Sequence, residues 1–253
     1  MPSIRVQYPT RAIATVTLDR PESLNAIDAG MAEQMGAAFT ELASNEQLSV
    51  VIVTGAGRGF CSGADLSSAG GLTDHSGSQI MAQAAAALLP LARMPQLTVA
   101  AVDGPAIGAG WGLAMACDLR IAGPRAKFAA TFVRMALGPD FGLSYTLPRA
   151  IGREHALELL ATGRTINADT ASRLGMICAI APDPLIAALE LATTIAEVPT
   201  RAIRSLKRTL ASSSKADLDV VIRDIEAHAQ TELLDHPDFR TDATAWMTRH
   251  HPG

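Results

Sequence analysis

Two glycine-rich stretches hold the residues best suited to chemistry in this sequence. The first is Gly55-Ala56-Gly57-Arg58-Gly59-Phe60-Cys61-Ser62-Gly63-Ala64-Asp65-Leu66, and the second is Gly104-Pro105-Ala106-Ile107-Gly108-Ala109-Gly110-Trp111-Gly112. Each follows a run of strand-forming residues, Val50 to Val53 and Leu97 to Val102. Glycine lets such a backbone approach a ligand closely where a helix begins, and unpaired N–H groups point outward there. Two such donors can hold one oxyanion. Other chemistries fail on spacing. A GxGxxG fingerprint needs glycine where Phe60 and Leu113 stand, and neither stretch ends in the Gly-Lys-Ser/Thr of a phosphate loop. Ser62 is one place off a GxSxG elbow and has no identifiable histidine partner. Cys61, Cys117 and Cys178 make no CxxC, and the six histidines make no HExxH, so no metal site is expected.

The elements that must position these loops are legible from periodicity. A β-branched run, Ala12 to Leu18, leads through Asp19-Arg20-Pro21-Glu22 into a helical pattern from about Ala29 to Leu42. The polar residues Ser67 to Ser78 are expected to form a mobile segment, followed by a helix from about Gln79 to Ala92. A short strand is expected at Leu119 to Ala122, and beyond Gly152 nearly everything reads as helix. The chain has 253 residues, 48% hydrophobic and 18% charged, which supports a large buried core and argues against disorder. A net charge of −4 with 4% aromatics argues against nucleic acid as a partner. The apolar stretch Val99 to Ala122 is interrupted by charges, glycine and proline, so no membrane association is expected. The cysteine usage fits a reducing compartment, and a cytoplasmic location is expected.

Four stretches in this order and spacing resemble the crotonase, or enoyl-CoA hydratase/isomerase, superfamily over essentially the whole length. They are Leu18 to Ala26, Thr54 to Leu66, Ala101 to Gly110, and Leu113-Ala114-Met115-Ala116-Cys117-Asp118-Leu119-Arg120-Ile121-Ala122. The resemblance implies an α/β fold, a crotonase-like spiral of ββα turns with a helical C-terminal extension. Residues 1–195 would be the acyl-CoA-binding core and residues 196–253 a helical oligomerisation region. It implies an acyl-CoA thioester as substrate, with coenzyme A part of that substrate and no separate cofactor. By position, the oxyanion donors would be the backbone N–H groups of Ala64 and Ala109, each worth about 3 kcal/mol to a developing enolate in comparable sites. Ala109 stands where glycine is more usual, and its donor survives a methyl side chain if φ stays negative.

Hydratases of this family carry two glutamates, and the matching positions here are Gly112 and Phe132. Hydration needs one group to activate water and another to protonate carbon, so hydratase activity is expected to be weak or absent. One carboxylate remains: Asp140, in Leu137-Gly138-Pro139-Asp140-Phe141-Gly142-Leu143, resembles the acid that isomerase branches place in a Pro-Asp/Glu-x-Gly segment. Phe132, Met135, Phe141 and Leu143 are expected to make its surroundings apolar and raise its pKa. The alternative for Asp140 is a helix N-cap, which would leave an acyl-CoA-binding protein with little turnover. Asp118 and Arg120 are expected to form a structural ion pair. The resemblance further places coenzyme A against Ser23, Leu24, Ala26, Asp65, Leu66, Ser67 and Gly108, with Trp246 and Arg249 near the nucleotide from a neighbouring subunit. Apolar residues of the C-terminal helices, from Leu185 to Ile225, are expected to cover a neighbour's core, in a homotrimer or dimer of trimers.

Overall fold

The computed structural model describes residues 2–65 and 76–250, the last two by backbone alone. Leu66, Ser67 and the side chain of Arg249 therefore lie outside the described residues, as does most of the segment expected to be mobile. Ser76 to Ser78 correct that expectation at its end. Ser76 closes a reciprocal capping box with Gln79, and helix follows directly from Gly77.

The chain opens with β1 (Ile4–Thr10), which the periodicity did not reveal because six of its seven residues are exposed or half-exposed. It pairs antiparallel with β2 (Ile13–Leu18). Next come α1 (Ala29–Ser44), β3 (Val50–Gly55), α2 (Gly77–Ala92) and β4 (Leu97–Val102). The short strand β5 (Pro105–Ile107) precedes α3 (Ala109–Ala116), β6 (Leu119–Ala122) and β7 (Lys127–Ala129). The second half holds α4 (Leu143–Ile151), α5 (Arg153–Thr162), β8 (Ile166–Asn167), α6 (Ala168–Arg173), β9 (Ala179–Ile180) and α7 (Pro184–Ala196). It ends with α8 (Thr200–Ser213), α9 (Leu218–Val220), a π-helical stretch (Val221–Glu226), α10 (Ala227–Leu234) and α11 (Phe239–His250).

One large sheet, ordered β1-β2-β3-β4-β6-β9, is parallel from β2 onward. Beside it runs a second, shorter ladder. Ile27 bridges Ala64, Cys61 bridges Ala106, and β5 pairs with β7. The strands β2, β3, β4 and β6 thus each hand the chain to a short extended segment and then to a helix, which is a spiral of ββα turns. The central strands are buried on both faces, so they read as continuous apolar runs. On one face, α1, α2 and α3 pack Met31, Met35, Phe39, Leu88 and Trp111 into the main core. On the other, Leu185, Leu189 and Ile195 of α7 pack against Val50, Ile52 and Val99. These α7 residues therefore cover the chain's own sheet and not a neighbour's core. Further along, Leu206, Leu210, Leu218 and Ile222 are exposed.

The expected pairing of Asp118 with Arg120 is corrected. Asp118 accepts hydrogen bonds from the Thr98 N–H and hydroxyl at 2.8 Å each and pairs with Lys207 of α8 at 2.6 Å. Arg120 donates instead to the carbonyls of Met176 and Cys117. Asp118→Ala strands the half-buried ammonium and the Thr98 donors, and is expected to lower stability by about 2–4 kcal/mol. A denaturant titration with unchanged turnover per folded molecule checks this.

Candidate active site

The first site loop is held by Arg20 and Asn25, to which the sequence reading assigned no role. The buried Asn25 sits at φ 59, a conformation asparagine tolerates. Its amide donates to the carbonyls of Ala56 and Gly59, and its carbonyl accepts from the Arg20 N–H. The Arg20 guanidinium donates to the Ala26 carbonyl at 2.6 Å and pairs with Asp28 at 3.1 Å and Asp65 at 3.0 Å. A polar residue in an Arg-Pro-x-x-x-Asn run next to a buried strand was the available signal.

These contacts set the direction of the Ala64 amide. Ile27 donates to the Gly63 carbonyl at 2.7 Å and accepts from the Asp65 N–H at 2.9 Å. In a parallel bridge the residue between those two points its own N–H to the opposite side. The second loop is pressed against the first. A Cβ on Gly63, at φ 96, would lie 2.8 Å from the Ile107 carbonyl oxygen, and one on Gly110 would lie 2.2 Å from that of Cys61. Only glycine fits at either place. The same built position on Gly63 is 3.6 Å from the Ala109 nitrogen, so the two donor-bearing segments are neighbours. Ala109 opens α3 with negative φ, its N–H being one of the orphan donors of a helix start. Among the described residues, neither the Ala64 nor the Ala109 N–H donates to another backbone group.

A cavity of about 100 Å³ collects these groups. Ile27, Asp28, Ala64, Asp65, Met81, Ala84, Ala109, Asp140 and Phe141 are among the residues that line it. Asp140 caps no helix: α4 is capped by Gly142 without any side-chain bond, and Asp140 Oδ1 is buried without a hydrogen-bond partner. Burial pushes its carboxyl up from 3.8 to about 6, its own backbone N–H opposing the rise. Of the four apolar neighbours expected, Phe141 alone lines the cavity. Met135 is 44% exposed, and Phe132 instead lies 3.6 Å from where a Cβ on Gly108 would be. Ser23, Leu24 and Ala26 flank the first loop, with the Ser62 hydroxyl donating to the Ser23 carbonyl and the Ser62 N–H to that of Leu24. Trp246 lies on α11, half exposed and away from the cavity lining. Cys61 is no nucleophile, since complete burial pushes its thiol up to about 12.

Gly112 faces this same corner. A Cβ there would lie 2.5 Å from Phe141 Cβ and 2.8 Å from its carbonyl oxygen, so the space a glutamate would need is filled. Gly112→Glu is expected to cost about 1–3 kcal/mol of stability through overpacking. It should add no hydration of a 2-enoyl thioester, followed as loss of the conjugated thioester's ultraviolet absorbance.

Comparison with known proteins gives a consistent picture. Residues 9–252 match the model of the enoyl-CoA hydratase/isomerase family. A probable enoyl-CoA hydratase of Mycobacterium tuberculosis is 34% identical over 242 residues, 94% of each chain. The 1,2-epoxyphenylacetyl-CoA isomerase of Escherichia coli is 32% identical over 248 residues, 96% of this chain and 94% of that one. The crystal structure of an enoyl-CoA hydratase from Bacillus anthracis superposes with a TM-score of 0.92 at 29% identity, covering 98% of this chain and 96% of the other.

Proposed function

The chain belongs to the enoyl-CoA hydratase/isomerase family, and from that premise we propose that it shifts a carbon–carbon double bond in an acyl-CoA thioester, with Asp140 as its single acid/base. The carrying observation is that Asp140, one of whose carboxylate oxygens is buried without a hydrogen-bond partner, lines the cavity that Ala64 and Ala109 also line. With the thioester carbonyl against the two amides, ionised Asp140 takes a proton from C2 of a 3-enoyl chain. The C–H electron pair enters the C2–C1 bond and the carbonyl π electrons move onto oxygen, giving an enolate held by two N–H donors. Asp140, now protonated, returns that proton at C4 as the electrons flow back and the double bond settles between C2 and C3. Atoms and charge balance with no further reactant, and one group serves because donor and acceptor carbons lie on the same chain.

Coenzyme A would lie against Ser23, Leu24, Ala26 and Asp65 and, as the resemblance implies, Leu66 and Ser67. Trp246 and Arg249 would reach the nucleotide of a neighbouring subunit in a trimer, which the exposed Leu206, Leu210, Leu218 and Ile222 support. A second reading is hydration, which the names of the similar mycobacterial proteins favour. It is weakened here by the filled space at Gly112 and by Phe132, which leave no carboxylate at either position where the family's hydratases carry a glutamate. Turnover of 2-enoyl-, 3-enoyl-, dienoyl- and aryl-CoA thioesters, with products separated chromatographically, decides between the two. Bond migration exceeding hydration is the expected result, and hydration as the dominant product overturns the proposal.

A further inference from the structure

The turn that carries Asp140 runs against its own sequence. Asp140, Phe141, Gly142 and Leu143 form a four-residue turn, closed by the Leu143 N–H donating to the Asp140 carbonyl at 3.0 Å. Both central residues have positive φ, 48 at Phe141 and 70 at Gly142, so this is the mirror image, type I′, of the common turn. Glycine, asparagine and aspartate dominate the central positions of such a turn. A bulky side chain at positive φ is an outlier, held there against its own preference. Resting on the isomerase reading above, we infer that Phe141 is a positioning residue: its buried side chain holds the backbone in this mirrored turn, and the mirrored turn keeps the Asp140 carboxylate free for substrate.

The anchor is visible in the burial of the segment. Val133 to Gly138 are all exposed, and between Phe132 and Leu143 the one buried side chain is Phe141. It belongs to the main core, together with Leu88, Leu143 and Leu147. The backbone of the turn is seated on α3 as well. A Cβ on Gly112 would lie 2.5 Å from Phe141 Cβ, 2.8 Å from the Phe141 carbonyl oxygen and 3.3 Å from that of Asp140. The helix that meets the acid's turn is thus the one that Ala109 opens, so acid and oxyanion donor are referred to one rigid element. The consequence appears at the carboxylate. An aspartate opening a common turn bonds the N–H two residues on. Here Asp140 Oδ1 is buried and accepts from no donor, the Gly142 N–H included. A carboxylate satisfied by its own turn would be a weaker base, since such bonds favour the charged form. Strain beside a reacting group persists only where surrounding packing imposes it, and the Phe141 ring supplies that packing.

The test follows turnover of a 3-enoyl thioester against pH in variants that all lose the ring but differ in backbone preference. Phe141→Ala still disfavours positive φ and has no anchor, so its turn should relax to the common form. Its kcat should fall by about 10²-fold, the loss that a misplacement of about 1 Å brings. The acid limb of its kcat/KM should move from about 6 toward the ordinary 3.8 as the carboxylate gains the Gly142 N–H. Phe141→Gly adopts positive φ freely and should keep kcat within about tenfold of native, with its acid limb still near 6. Contacts of the ring with substrate are lost in both and cancel in the ratio. Phe141→Val, averse to positive φ, and Phe141→Asn, tolerant of it, stand in for alanine and glycine if either fails to fold. The other titratable side chains lining the cavity are Asp28 and Asp65, both paired with Arg20, and Tyr145 lines the adjoining groove, so the limb reports Asp140. An alanine variant whose limb stays near 6, or alanine and glycine variants that lose turnover alike, overturns the inference and leaves Asp140 as the base. Native-like turnover by Asp140→Asn overturns the isomerase reading and this inference with it.

Discussion

Asp140→Asn is expected to lower double-bond migration by about 10³-fold, within the range that a positioned acid/base contributes, while thioester affinity changes by less than about twofold, since the amide keeps the carboxylate's shape and size. The reason is that no other described side chain lining the cavity is placed to carry a proton to and from the acyl side. Asp28 and Asp65 also line it, but both are engaged by Arg20. The native enzyme should also show a one-proton decline in kcat/KM below about pH 6, because burial holds the Asp140 carboxyl protonated up to about 6 and only the ionised form is a base. A stability change of opposite sense accompanies the loss of activity. The folded chain binds this proton up to a higher pH than the unfolded chain does. The carboxyl therefore costs nothing below its ordinary value of 3.8, and its cost grows as pH rises through about 6. For a group that is only partly buried, solvent screening brings this to about 1–2 kcal/mol at neutral pH. The asparagine variant should thus melt higher than the native protein near pH 7 and match it near pH 3.5. Near-native isomerisation by Asp140→Asn removes this residue from the mechanism, whatever the melting curves show.

Ala109→Pro is expected to reduce turnover by about 10²–10³-fold with the helix preserved, the loss associated with deleting one oxyanion donor. Proline is the residue that removes a backbone N–H, and Ala109 is the first residue of α3, where that N–H has no helical partner to lose. The residue before a proline must avoid the helical region. Gly108, at φ 55 and ψ −121, already does. The ring also sets its Cδ where the hydrogen pointed, so the thioester oxygen meets carbon where it had a donor. Ala109→Gly is the companion variant: it retains the N–H and should keep activity within about fivefold, the cost of a freer backbone at a helix start. The ratio of the two rates isolates the hydrogen bond from the side chain. A conjugated dienoyl thioester bound to native protein should absorb at longer wavelength than when free, because a polarised carbonyl draws electron density along the chain. In Ala109→Pro most of that displacement should vanish. Equal turnover by the proline variant would mean that the carbonyl does not rest on this amide.

How much of this was legible beforehand can be judged element by element. β4 and β6 occupy the residues that periodicity assigns them, and α1 and α2 agree to within a few residues at each end. These segments are buried in regular patterns, and a periodic pattern is a local property of the chain. β5, β7, β8 and β9 have two or three residues each and carry no period long enough to detect. They exist because neighbouring turns of the spiral offer them partners. The Ile27–Ala64 and Cys61–Ala106 bridges are single pairs of residues 37 and 45 positions apart, beyond any local signal. The partner of Asp118 was misjudged for the same reason: Arg120 is near in sequence, but Lys207 is the cation that reaches the carboxylate.

The sequence by itself determined the two glycine loops, the residue types at Gly112, Phe132 and Asp140, and so the scarcity of carboxylates that separates bond migration from hydration. Those are matters of composition and order, which a chain carries whether folded or not. Only the tertiary structure decided that Asp140 caps nothing, that it lines one cavity with Ala64 and Ala109, and that Phe141 fills the space beside Gly112. Burial and the direction of an N–H depend on atoms brought together from distant parts of the chain, and the shift of the Asp140 carboxyl arises from water excluded by those atoms.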